Sequence, residues 1–284
     1  SRVQIRAGSV VLPMHHPISV VEEWSIIDNL SGGRIGISFA SGWSPNDFAL
    51  RPEVYANRKE ELFCGIETVH QLWQGEPIQM RNGNGDDIHV RAFPKPLQAT
   101  LPTWITSTSS PDTCTRAGKI GAHLLTALLR LSVEEIAAHI ELYRHALSTH
   151  GFDPHSRTVT VMLHTYVHET LEIVRERVKK PLISYLRTYL TMFSDLARSI
   201  LHLNIDQLTE QDKDALAQFA FERYFTSNGL FGTPATCLPM IKSLKMVGVN
   251  ELACLIDFGL DFDTVMEGLS HLALLKEACT AQNL

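Results

Sequence analysis

Short runs of continuous apolar, β-branched residues recur along this chain, each followed by a longer segment in which apolar residues return every three or four positions. The continuous runs predict strands covered on both faces, and the longer period predicts helices with one buried stripe. VQIRAGSVVL opens the chain as the first strand. A helix follows from Pro17 to Leu30, with Val20, Val21, Trp24, Ile27 and Leu30 on its stripe and Gly32-Gly33 as its stop. Arg34 to Ala40, RIGISFA, is the second strand. The segment after it, SGWSPNDFALRPEVYANR, is too rich in Pro and Asn for a regular element and reads as a functional loop.

Lys59 to Trp73 is helical by period, and Glu76 to Phe93 reads as a hairpin turning at Asn82-Gly83-Asn84-Gly85. The strand TWITST leads into a hydroxyl-rich loop and a helix that opens on Pro111. A strand at His123 to Leu129, a helix from Ser132 to His150 and a strand at Thr158 to Tyr166 come next. Leu171 to Phe225 is helical, with Pro181 marking a break. Gly232-Thr233-Pro234 starts a helix that ends at Gly248, before the strand Glu251 to Asp257 and a last helix from Phe262 to Glu277. The alternation predicts an α/β class with a parallel sheet. Six strand-helix units and a hairpin are visible, where a closed TIM (β/α)8-type barrel has eight. The expectation is one domain over 1–284, a barrel short of its first two units, with a hairpin insertion at about 76–93 and a helical insertion at about 171–227.

With 44% hydrophobic and 20% charged residues over 284 positions, the chain can bury one large core. A net charge of −6 argues against a nucleic-acid surface, which needs clustered Lys and Arg. Apolar runs stay well below the roughly 20 residues that cross a bilayer, no leader opens the chain, and the expected location is cytoplasmic. Five scattered cysteines form no CxxC, which points to small core residues over a disulfide framework or a zinc knuckle.

The chemistry concentrates at strand ends. Ser110 is placed to N-cap the helix whose first position is Pro111, and the hydroxyls of Thr108, Ser109, Ser110 and Thr113 surround its outward N–H groups. That is an anion site suited to a phosphate, although the stretch alone is equally a plain capped junction. The other ends carry His15-His16, Ala40-Ser41, Leu129-Arg130, His164-Thr165 and Asp257-Phe258. His15, His16 and His164 are the candidate catalytic groups; His15 and His16 have the alternative role of capping the helix at Pro17. Arg130 is a candidate phosphate or carboxylate ligand. Trp43 and Phe48 either cover a ligand or anchor their loop, and Asp28 reads as a surface charge paired with Arg34. Carboxylate clusters for a metal, GxSxG elbows and Walker or Rossmann glycine patterns are all absent. A bound cofactor therefore carries the hard chemistry, and flavin mononucleotide, with one phosphate and one planar ring, fits.

MHHPISVVEEWSIIDNLSGGRIGISFASGW closely resembles the segment HPxxxAExxxxxDxxSxGRxxxGxxxG of the bacterial luciferase-like flavin monooxygenases. Pro17, Glu22, Asp28, Ser31, Gly33, Arg34 and Gly42 hold the matching positions, with Val21 in place of the usual Ala. SSPDTCTRAGKIGAHLL resembles that family's phosphate loop and helix, and GTPATCLPMI its GTPxxC helix start. RAGSVVLPMHHP and FASGWSPNDF are most similar to the subgroup found with nonribosomal peptide and polyketide assembly lines. The resemblance implies a TIM-barrel monooxygenase that takes reduced FMN from a separate reductase and uses O₂. Hydroxylation or Baeyer–Villiger oxidation of a natural-product intermediate is implied, either free or tethered to a carrier protein, by a homodimer. An F420-dependent oxidoreductase of the same fold and a non-catalytic luciferase-like subunit are the alternatives. By position, Gly8 and Ser9 match a non-proline cis peptide beneath the flavin ring, and Ser109, Ser110 and Thr113 match phosphate binders. Ala40 and Ser41 match the strand end beside the flavin, Ser41 standing where luciferases carry a phosphate-binding arginine.

Overall fold

The computed structural model describes residues 2–129, 131–192 and 209–284. They divide into two compact units, Ser1–Leu125 with Leu142–Arg157, and Thr126–Glu141 with Thr158–Leu284.

In the first unit β1 (Ile5–Val11), β2 (Ile35–Ala40), β5 (Thr103–Thr106) and β6 (His123–Ala127) form a parallel sheet in that order. Ile5 pairs with Ile35, Ile37 with Thr103, and Thr106 with Leu125. The β1–β2 register slips between Gly8 and Val10, so that Ser9 is an extra residue in β1. Helices α1 (Pro17–Ser31), α2 (Arg58–Trp73) and α3 (Pro111–Lys119) follow β1, β2 and β5. The predicted hairpin is present as β3 (Ile78–Arg81) and β4 (Asp87–Val90), and Asn82 Oδ1 accepts from the amides of Asn84 and Asp86 in its turn. The segment between β2 and α2 is more regular than its composition suggests, with 3₁₀ turns at Pro45–Leu50 and Pro52–Val54, each started by proline.

The buried stripe of α1 runs through Val20, Val21, Ser25 and Asp28, while Leu30 is 83% exposed. Asp28 is therefore no surface charge and does not pair with Arg34. Its carboxylate is fully buried and accepts from the Leu97 amide (2.7 Å), the Gln98 amide (2.9 Å) and Gln98 Nε2 (2.8 Å). Three donors from a loop far along the chain replace the water that a carboxylate would otherwise need. Arg34 instead donates to the Ser31 and Val3 carbonyls.

In the second unit β7 (Val159–Val167) lies between β8 (Leu230–Gly232) and β9 (Glu251–Leu255), all parallel. The three-residue β8 is too short to produce a pattern of its own. Helices α5 (Leu171–Met192), α6 (Glu210–Arg223), α7 (Pro234–Met246) and α8 (Phe262–Ala281) accompany them; α4 (Val133–Thr149), which precedes β7, belongs to this unit as far as Glu141 and to the first from Leu142. Pro181 does not break α5. A mid-helix proline loses one hydrogen bond and strains the preceding turn. Here Val174, Val178, Leu182 and Leu186, on both sides of it, face one core with Tyr166, Phe221, Phe231 and Phe258, and that burial holds the helix through. A cavity of about 700 Å³ opens among α7, α8 and β9, lined by Leu244, Leu252, Cys254, Leu272 and Cys279. Among the described residues no helix is long and apolar enough to cross a membrane.

Candidate functional site

The strand β5 ends at Thr106, and the chain turns at once because Ser107 is tied twice: its amide donates to the Leu125 carbonyl (2.9 Å) and its Oγ to the Ser110 carbonyl (2.9 Å). Ser110 then adopts the extended backbone of an N-cap, with Pro111 at the first helical position. Ser110 Oγ lies 3.3 Å from the Thr113 amide, 3.0 Å from Thr113 Oγ1 and 3.1 Å from Lys59 Nζ. Three donors converge on one hydroxyl oxygen, which has two lone pairs. The surplus donor, the ammonium charge and the positive end of α3 together make a corner that an anion would relieve. Thr108 and Ser109 are exposed beside it. Lys59 and Ser107 were not legible in the sequence as parts of this corner; Lys59 sits in the first turn of α2, 51 positions before Ser110.

The face of the sheet that carries Trp104 and Thr106 is stopped at one end by a stack. The Arg6 guanidinium lies 3.6 Å from the Trp104 ring centroid, and Trp104 stacks on His123 at 4.4 Å. A Cβ on Gly36 would come within 2.8 Å of Trp104, so glycine is what lets the indole lie flat there. Nearer the strand ends the same face carries hydroxyls: Thr106 Oγ1 lies 2.6 Å from both Ser38 Oγ and Ser9 Oγ. Gly8 is exposed, and a Cβ built on it would meet only Leu125 Cδ2, at 3.9 Å. That leaves the surface open to a flat ring. The Gly8–Ser9 peptide is trans, contrary to the match with a cis bond; the cis bond among the described residues is Phe93–Pro94. A bulge at Ser9 re-aims the strand instead, without the cost of a cis amide.

Ala40 ends β2 half-buried, and Ser41 Oγ reaches only the Gly42 carbonyl, at 3.4 Å. Gly42 has φ of +77°, and a side chain there would strike Phe48 at 2.7 Å. Phe48 is buried edge-on against Tyr55, so it anchors the loop and does not cover a ligand, whereas Trp43 is exposed. His15 is exposed. His16 caps α1, its Nδ1 accepting from the Ile18 amide at 3.3 Å.

His164 belongs to the second unit, where the rings of Tyr185, Phe258 and Tyr224 surround it at 4.8, 5.6 and 6.0 Å. Burial lowers its pKa to about 4, against the opposing pull of the Asp257 charge. It is neutral near pH 7 and can exchange hydrogen bonds there, but it holds no proton to give as an imidazolium. A further network absent from the sequence reading links His168 Nε2 to Glu267 Oε1 at 2.8 Å and Arg177 to Glu267 and the Tyr166 hydroxyl. Arg177 first, then His168, hold the Glu267 carboxyl down at about 2. Arg130 lies outside the described residues. Among the described residues no group of His, Cys, Asp and Glu is placed to hold a metal.

The donors, the open glycine and the hydroxyl face fit a cofactor with one phosphate and a flat ring. Comparison with known proteins bears on which kind. The profile of a family described as luciferase-like monooxygenase matches residues 1–251. Limonene 1,2-monooxygenase of Rhodococcus erythropolis is 27% identical over 199 residues, 67% of this chain; the chain spans about half of that relative's length, 49%. The oxygenating constituent of 3,6-diketocamphane monooxygenase from Pseudomonas putida, a type II Baeyer–Villiger monooxygenase solved with FMN, superposes with a TM-score of 0.67 at 16% identity. That superposition covers 96% of this chain and 78% of the other. An F420-dependent secondary alcohol dehydrogenase in complex with an F420-acetone adduct superposes with a TM-score of 0.70 at 15% identity, over 97% and 80% of the two chains. At such identities the structural likeness speaks for the fold alone.

Proposed function

Because this chain belongs to the luciferase-like monooxygenase family, we propose that it is the oxygenating component of an FMN-dependent monooxygenase. The observation that carries the reading is the convergence of Lys59, the Thr113 amide and the Thr113 hydroxyl on Ser110 Oγ at the start of α3. A terminal phosphate placed there takes the surplus donor and the helix N-terminal N–H groups that no helical carbonyl can reach. Lys59, Ser109, Ser110 and Thr113 are its ligands, with Thr108 at the rim.

From that anchor the ring extends toward Gly8, Ser9, Ala40 and Ser41. When bound, reduced FMN would supply the electrons with which O₂ oxidises an organic substrate. The chain's own contribution is to bind and orient. The Arg6–Trp104–His123 stack closes one end of the face against water. Ser9 offers a hydroxyl beside the open glycine. His15 remains a pocket candidate of the first unit, and His164, kept neutral by burial in the second unit, is a hydrogen-bonding group there.

The substrate class in this reading is a natural-product intermediate, free or tethered to a carrier protein, undergoing hydroxylation or Baeyer–Villiger insertion. A separate reductase supplies the flavin, and the enzyme works as a homodimer in the cytoplasm. Lys59 favours FMN over F420, since a doubly charged terminal phosphate gains more from an ammonium than a phosphodiester does. Anaerobic titration with reduced FMN, riboflavin and F420 tests this. Saturable FMN binding well above that of riboflavin supports it; preference for F420 turns the reading to hydride transfer, and no binding of any of the three sinks it.

A further inference from the structure

The hydroxyl chain on β1, β2 and β5 has a direction. Ser38 Oγ, Thr106 Oγ1 and Ser9 Oγ follow one another at 2.6 Å and 2.6 Å. Three hydroxyls carry three protons, and two hydrogen bonds between them use two. The remaining proton sits on Ser38, Thr106 or Ser9. Ser38 is fully buried with Thr106 as its hydrogen-bond partner, while Ser9 is exposed. Were Ser9 to donate inward, Ser38 would be left holding an unpaired O–H in a water-free site, at the desolvation penalty of a buried donor. Were both serines to donate to Thr106, the spare proton would fall to Thr106, which is half-buried and has no other acceptor among the described hydrogen bonds. Donation outward, from Ser38 to Thr106 to Ser9, alone puts the spare proton on the exposed hydroxyl, and each bond polarises the next. The bulge in β1 serves this arrangement. In a regular strand Ser9 would face away from the side that Gly8 occupies; the extra residue between the Gly8–Ser38 and Val10–Phe39 pairs turns its Oγ onto Thr106.

We propose that Ser38 and Thr106 are positioning residues that fix the Ser9 hydroxyl as an outward hydrogen-bond donor. Its acceptor is a ring oxygen or nitrogen of the flavin in the reading above, on which this part of the inference rests.

A neutron structure of the unliganded protein in deuterated solvent decides the direction with no cofactor present. Deuterium on Ser38 Oγ aimed at Thr106, and on Thr106 Oγ1 aimed at Ser9, is expected; the reverse orientation, or deuterium on Ser9 Oγ aimed at Thr106, overturns the relay. Titration with oxidised FMN then tests the acceptor. Ser9→Ala and Thr106→Val should each weaken binding about fivefold and displace the flavin absorption bands in the same sense. The double variant should be no weaker than Ser9→Ala, and Thr106→Ser should restore wild-type affinity. Wild-type behaviour of Thr106→Val, or a double variant as weak as the product of the two single losses, overturns the claim that Thr106 acts through Ser9. Absence of FMN binding by the wild-type protein removes the acceptor named here together with the cofactor reading, while the neutron result still rules on the relay.

Discussion

Lys59 Nζ donates to Ser110 Oγ across 3.1 Å, joining the first turn of α2 to the N-cap of α3. A cation held at a helix N-terminus raises the local potential where the helix dipole is already positive, which favours an anion there beyond the first-turn carboxylate of Asp112. Replacing Lys59 by Met removes the charge and keeps most of the stem. The expected outcome is FMN binding weakened about tenfold, the worth of one charge-assisted hydrogen bond, with riboflavin binding unchanged. Flavin fluorescence titration measures both; equal losses for the two ligands would take the phosphate away from this corner.

His164 makes stability depend on pH. Its folded pKa, about 4, lies below the ordinary value of 6.5. Between those values the unfolded chain binds a proton that the folded chain refuses, so stability is complete above pH 6.5 and is lost as pH falls toward 4. The loss amounts to about 3 kcal/mol from this one residue. Urea unfolding at pH 7 and at pH 4.5 should show a smaller difference in His164→Gln than in the wild type. An unchanged difference would mean that the imidazole is not desolvated in its ring of aromatic neighbours.

His16 is a cap in this structure, its Nδ1 bonded to the Ile18 amide. Asn is at least as good an N-cap. His16→Asn should therefore keep stability within about 0.5 kcal/mol and leave flavin-coupled turnover near the wild-type rate, whereas His16→Ala should lose about 1 kcal/mol. A stable Asn variant with no turnover would return His16 to the chemistry.

Asp28 holds the Leu97–Gln98 segment against α1 through three donors. Asp28→Leu strands all three in a buried site, and a loss of about 3 kcal/mol or more is expected. The urea midpoint reads it. Because the site at Ser110 lies on other elements, FMN affinity of the folded variant should stay close to wild type; a parallel loss would tie the two regions together.

Elements and caps that depend on near neighbours were legible. Ser110 before Pro111, Gly32 after α1 and the Asn82 turn act within four residues of themselves, and each is where the pattern of the sequence puts it. The buried stripe departs from the apolar pattern where a helix packs under a loop. The stripe of α1 runs on from Val20 and Val21 to Ser25 and Asp28, and Asp28 is held there by a polar backbone segment 69 positions on. At Pro181 the local penalty is real, but the core on both sides of it outweighs one lost hydrogen bond.

By itself the sequence determined the α/β alternation, the N-cap of α3 and the family, since all three are written in local spacing and short motifs. Only the tertiary structure decided which side chains meet. Lys59 reaches Ser110 across 51 positions, Ser38 and Ser9 reach Thr106 across 68 and 97, and His164 acquires its aromatic walls from Tyr185, Tyr224 and Phe258. Such pairs leave no periodic trace, because hydrogen bonds and burial act over a few ångströms of space and are indifferent to the length of chain between the partners.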